Sequence, residues 1–150
     1  MVNVQYRRIL VPLDGSKLAE QVLPHAMKVA KSTSAEVVLM HVVPASGQMR
    51  RPPTPAQKTA MDDIGAYLKK VSASLSKQEK LEVGWRVSCG DPVDDLVRFV
   101  HDGDVDLVAI CTHGKGADGQ TDLGSVALEL LNKVTVPLLV FRPGGPVSKD

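Results

Sequence analysis

The sequence predicts an α/β domain built on an open, five-stranded parallel sheet with helices on both faces. Three observations carry that expectation. Several apolar runs of strand length lack polar alternation, as strands covered on both faces do. The segments between them repeat apolar residues at the helical period. Strand and helix also alternate strictly along the chain, and right-handed crossovers fold such an order into one twisted sheet. A length of 150 residues with 43% hydrophobic content suits a single domain spanning residues 1–150 with a substantial core.

The elements follow in order. Residues 7–13 (RRILVPL) form a short apolar run stopped by Asp14, Gly15 and Ser16, which reads as a buried strand and a turn. Leu18, Val22, Ala26, Val29 and Ala30 then recur at helical spacing, with Ser16 placed to accept from amides of the first turn. Residues 37–43 (VVLMHVV) are a second unalternating strand, and the proline-rich stretch 45–55 is a polar loop. Met61, Ile64, Leu68, Val71 and Leu75 spell the clearest amphipathic helix of the chain.

A third strand covers residues 82–88. Asp91 then reads as an N-cap, with Pro92 at the first helical position and Asp94 favoured by the positive helix end, and Leu96, Val97 and Val100 facing inward. Residues 105–111 (VDLVAIC) form the fourth strand, residues 125–134 a helix, and residues 136–141 (VPLLVF), from Val136 to Phe141, the fifth strand. That last strand is expected at a sheet edge, where an apolar run invites pairing with a second copy of the chain. The alternative is that the tail 142–150 shields it.

Composition narrows the function. Eighteen basic against seventeen acidic side chains leave a net charge of +1, which offers no footprint for nucleic acid or an anionic membrane surface. The start MVNVQYRRIL shows no apolar signal core, and no apolar run nears the ~20 residues of a membrane helix, so a cytoplasmic protein is expected. Cys89 and Cys111 lack CxxC spacing and read as reduced thiols. His25 and His101 suggest no metal site, His41 reads as a satisfied sheet-end histidine, and Asp102, Asp104 and Asp106 read as turn residues at the amino end of the fourth strand. No HExxH, GxSxG or GxxxxGK[ST] pattern occurs.

Ligands of open parallel sheets bind beyond the carboxyl ends of the strands, where strand order reverses. The loop there, CTHGKGADGQTDLGSV at residues 111–126, holds four glycines and can be parsed in two ways. Gly114, Gly116 and Gly119 spell GxGxxG, the dinucleotide fingerprint of a small NAD-dependent oxidoreductase, but that fingerprint belongs after the first strand with an acidic residue about twenty positions on, where this chain is apolar. In the second parse Gly114 is followed, after nine residues, by Gly124 and Ser125 at a helix start. There Gly124 permits close approach, and the amides and hydroxyl of Ser125 and Val126 form a phosphate cradle; a plain N-cap is the simpler alternative. His113 either contacts a phosphate or orders the turn.

With ILVPLDGS at the first strand, HVV at the second, GDP after the third, AICTHG, GSVALELL and VPLLVFRP, the chain resembles the universal stress protein family over nearly its whole length. The resemblance implies strand order 3-2-1-4-5 and a Rossmann-like crevice that binds ATP or a related adenine nucleotide with Mg2+ or Mn2+. The family's motif is a glycine, two residues, a second glycine, nine residues, and a glycine with Ser or Thr. Gly114, Gly124 and Ser125 match it, whereas Cys111 stands in the place of the first glycine and adds a side chain there.

By the same resemblance Val42 holds adenine through its backbone, Pro12, Leu13 and Asp14 line the ribose and phosphate side, and Asp14 sits near the phosphates and their metal; the turn reading of Asp14 stands beside this. The resemblance also implies a homodimer through the last strand, a regulatory role in stress with an unidentified protein partner, and at most slow ATP hydrolysis. The alternative function is an interaction module of the same fold that has lost its nucleotide, motivated by Cys111 and by Asp118 and Asp122 in the loop.

Overall fold

The structure is a computed structural model describing residues 3–45, 51–112 and 122–143. Its strands are β1 (Arg8–Pro12), β2 (Glu36–Pro44), β3 (Val83–Gly90), β4 (Leu107–Cys111) and β5 (Leu138–Phe141). Its helices are α1 (Leu23–Thr33), α2 (Pro55–Glu79), α3 (Pro92–Asp102) and α4 (Asp122–Lys133), with a 3-10 turn at Ala19–Val22 ahead of α1. All neighbouring strands pair in parallel, in the order β3-β2-β1-β4-β5. This is the predicted sheet, with strand order reversing between β1 and β4.

Right-handed crossovers place α1 and α2, which step leftward from β1, on one face, and α3 and α4, which step rightward, on the other. Ion pairs agree with that division: Lys31 of α1 meets Glu79 of α2, and Lys133 of α4 lies 3.7 Å from Asp94 of α3. The core sits where both faces are covered. Ile9, Leu10 and Val11 of β1 and Val108, Ala109, Ile110 and Cys111 of β4 are wholly inaccessible, sealed by Leu68 from α2 and Leu130 from α4. Unalternating strands are the sequence consequence of that double cover.

The amino ends of the strands are closed by polar chemistry. Asp106 accepts from the amides of Arg7 and Arg8, at 2.9 to 3.1 Å, and Arg8 pairs with Glu36. Asp106 is thus a turn residue, as expected. Asp91 caps α3 by accepting from the Asp94 amide at 2.9 Å, with Pro92 in the first turn, also as expected.

Some boundaries differ from expectation. The first helix opens as a 3-10 turn and becomes α-helical only at Leu23, because Pro24 lacks an amide and belongs in a first turn rather than in the interior of a longer helix. β4 begins at Leu107 rather than residue 105, since the chain is still leaving the turn at Asp104, whose φ is +53°. β5 begins at Leu138, because Pro137 has no amide to donate. The last helix begins at Asp122, three residues before the expected Ser125. Thr121, Asp122 and Ser125 are all residues that favour helix starts, and apolar spacing does not choose among them.

Replacing Ile110 by Ala empties the most enclosed strand of the sheet and is expected to lower stability by about 2–5 kcal/mol in urea unfolding, with an unchanged slope.

Candidate functional site

At the carboxyl end of β1 the chain turns sharply. Pro12 is paired with Met40, and the Leu13 amide extends the pairing by donating to the Met40 carbonyl at 2.9 Å. Asp14 then forms an Asx turn: its Oδ1 accepts from the Ser16 amide at 2.9 Å and from the Ser16 hydroxyl at 2.6 Å. The Ser16 Oγ in turn accepts from the Ala19 amide at 3.1 Å, so Ser16 caps the 3-10 turn. Gly15 has φ +89°, and a Cβ there would lie 3.2 Å from Ile64 Cδ1 of α2. Only glycine meets both demands.

β2 ends beside this turn. His41 Nδ1 donates to the Leu13 carbonyl at 2.8 Å, the sheet-end role expected of it. Val42 is buried and paired with Ser88 of β3. Two residues on, the Pro44 carbonyl accepts from Gln57 Nε2 at 3.4 Å, and Gln57 also closes a capping box with Thr54 at the start of α2. The first turn of α2 is therefore fastened to the end of β2.

β4 emerges on the other side of β1. Cys111 is fully buried, and its Sγ lies 3.5 Å from the Leu18 carbonyl, directed at the segment that follows β1. Thr112 continues the pairing with β5 by donating its amide to the Phe141 carbonyl at 2.9 Å. α4 returns from this end of the sheet, so Gly124 and Ser125 lie in its first turn and Val126 just beyond it, inside the helix rather than ahead of it. The cradle expectation is corrected to that extent: the positive helix end lies at Asp122. His113, Gly114 and the GxGxxG parse lie outside the described residues.

The structure thus gathers Pro12, Leu13, Asp14, Val42 and Cys111 at the carboxyl ends of three adjacent strands, with the first turn of α4 returning from the same end. A concavity of about 830 Å3 lies at the amino ends, lined by Gln5, Arg7, Arg8, Glu36 and residues 104–106. Arg8, Glu36 and Asp106 there are already bound to one another or to backbone, so that surface is structural. No group of three or more His, Cys, Asp or Glu among the described residues could hold a metal by itself.

Two residues that sequence reasoning passed over lie beside Asp14. Glu20 Oε2 and the Tyr67 hydroxyl are buried atoms that make no hydrogen bond of normal geometry. Burial, first, and then the facing Glu20 carboxylate push the Tyr67 phenol above the usual tyrosine range, and the Asp14 charge adds to this. The carboxylate is thus near enough to act on the phenol without closing a regular bond. The available signal was the spacing of Ile64 and Tyr67, three apart on one helix face.

Comparison with known proteins agrees with this geometry. The model of the universal stress protein family matches residues 5–142. A curated universal stress protein of Methanocaldococcus jannaschii is 29% identical over 144 residues, covering 91% of this chain and 82% of its own. Among solved structures, the universal stress protein UspA from Lactobacillus plantarum superposes with a TM-score of 0.75 at 20% identity, covering 93% of this chain and 100% of its own. The universal stress protein from Archaeoglobus fulgidus in complex with dAMP gives 0.66 at 23%, covering 91% and 98%. With its strand order, its crevice and a family match over nearly all its length, the chain belongs to the universal stress protein family.

Proposed function

We propose that this chain is an adenine-nucleotide-binding regulatory protein that holds ATP, or a related nucleotide, with Mg2+ or Mn2+. The observation that carries this reading is the pairing of β1 with β4, which brings the Asp14 turn and the Cys111 end of β4 side by side at the point where strand order reverses. The dAMP complex of the Archaeoglobus fulgidus protein supports an adenine nucleotide as the ligand class.

In this reading Val42 offers backbone to adenine, and Pro12 and Leu13 wall the ribose. Cys111, His113, Gly114, Gly124, Ser125 and Val126 surround the phosphates. Asp14 supplies a hard oxygen, the donor type Mg2+ takes alongside phosphate oxygens, and its bonds from Ser16 hold the carboxylate still. The cation would screen the phosphate charge from that carboxylate. The role is binding rather than turnover, with at most slow ATP hydrolysis, in the cytoplasm under stress and with a regulatory protein partner. No described helix is long and apolar enough to cross a membrane.

Calorimetric titration with ATP, ADP and AMP in magnesium is expected to give saturable heat. Silence with all three, together with no nucleotide released on denaturation, overturns the reading. NADH is expected to bind nowhere, since the glycine run follows β4 rather than β1.

The second reading, an interaction module without nucleotide, rests on Cys111 in the place of a motif glycine. Its thiol is directed at the Leu18 carbonyl. Cys111→Gly is accordingly expected to change ATP affinity by less than about threefold, under 1 kcal/mol. A gain of about tenfold or more would instead support loss of nucleotide by steric block.

We also propose a homodimer through the last strand. β5 pairs on one side only among the described residues, Val140 is 48% exposed, and Leu128 and Leu131 of α4 expose more apolar surface. Sedimentation is expected to show a dimer, and Val140→Lys, a charge on the pairing edge, to shift it to monomer. A wild-type monomer at all concentrations sinks the proposal.

A further inference from the structure

The sheet ends on two edges of different chemistry. The edge at β5 is apolar, whereas the edge at β3 is flanked by cations. Among the described residues β3 pairs only with β2. The Val37 amide donates to the Glu82 carbonyl at 2.9 Å, and the Ala45 amide to the Gly90 carbonyl at 3.0 Å. Backbone direction alternates along a strand, so the even-numbered residues from Glu82 to Gly90 face β2, and the N–H and C=O groups of Val83, Trp85, Val87 and Cys89 point outward. That row is a template for one more strand.

The side chains beside the row select its occupant. Trp85, the only tryptophan of the chain, lies over Gly65 of α2, where a Cβ would stand 3.4 Å from its ring, and it stays 42% exposed. Lys58 and Lys69 lie seven residues before Gly65 and four after it, on the same side of the helix, and Lys80 at the C-cap continues their line. All three lysines are exposed, and none meets a carboxylate among the described residues. On the other face Arg86 reaches over the Phe99 ring, 5.2 Å from its centroid. Of the carboxylates nearby, Asp91 caps α3, and Asp95 accepts from Ser88 and pairs with Arg98. That leaves Asp62 and Glu82 set against four cations.

A second copy continuing the sheet here would bring its lysine line against this one, so the edge opposes self-pairing. The outward row calls for a regular series of amide donors and carbonyl acceptors, which nucleic acid lacks, and the lysines call for carboxylates. We infer that the outer edge of β3 is a docking site for an extended, acidic peptide segment of a partner protein, added as a sixth strand that covers Trp85. β3 lies two strands from β1, so the inference stands whether or not the crevice binds a nucleotide.

The test uses the full chain and a blocked octapeptide of alternating glutamate and valine, matched in length to β3. Trp85 is the reporter: its emission is expected to shift to the blue on saturable binding, while the amides of Trp85 and Val87 gain protection in hydrogen exchange. Lys58→Glu with Lys69→Glu is expected to weaken the peptide at least about tenfold, whereas Lys70→Glu with Lys77→Glu, the same charge change on the solvent side of α2, weakens it less than about threefold. A version of the peptide N-methylated at every residue is expected not to bind. The inference is overturned by an unchanged emission, by equal losses in the two double variants, or by undiminished binding of the methylated peptide. The same emission shift with an octamer of thymidylate, which shows charge acting without strand pairing, overturns it as well.

Discussion

Two residue pairs, Ile9 with Leu107 and Leu10 with Val108, join the halves of this molecule. On one side of that seam lie β2 and β3 with α1 and α2; on the other lie β5, α3 and α4. Because the crossovers depart in opposite directions from it, strand order reverses between β1 and β4, which is where open parallel sheets place a crevice. The residues along the seam are buried, and the candidate site residues lie just beyond it. Weakening that seam would loosen the sheet and the crevice together.

The two ends of the sheet are treated differently. At the amino ends, side chains are spent on backbone: Asp106 takes the amides of Arg7 and Arg8, and Arg8 meets Glu36. At the carboxyl ends the turn after β1 is short, needs glycine at Gly15, and folds its Asp14 carboxylate back on Ser16. One end is closed and the other shaped. The concavity on the closed end is lined by side chains already spent on structure.

The sheet was legible because its physics is simple: buried parallel strands must be apolar on both faces, and the runs at β1, β2 and β4 are. Asp91 and Ser16 were legible because caps follow from local residue type. The start of α4 was not, because three residues near it all favour a helix start. The placement of candidate residues was legible where a single residue meets a strand end, as at Asp14 and Val42. It was not legible where it depends on two elements meeting: Glu20 and Tyr67 are 47 positions apart in the sequence, and nothing in either neighbourhood announces the other. Tyr67 reads there as one more residue beside an apolar stripe.

The 25 residues of α2 span about 37 Å, longer than any other element. Its first turn is bonded to the end of β2 through Gln57 and Pro44, its middle bears on the Asp14 segment, and its last turn is bridged to α1 through Glu79 and Lys31. A single rod is therefore splinted to the end of β2 and to the turn after β1. The end of β2 and the turn after β1 share one ruler, so neither can shift without tilting the rod that measures the other.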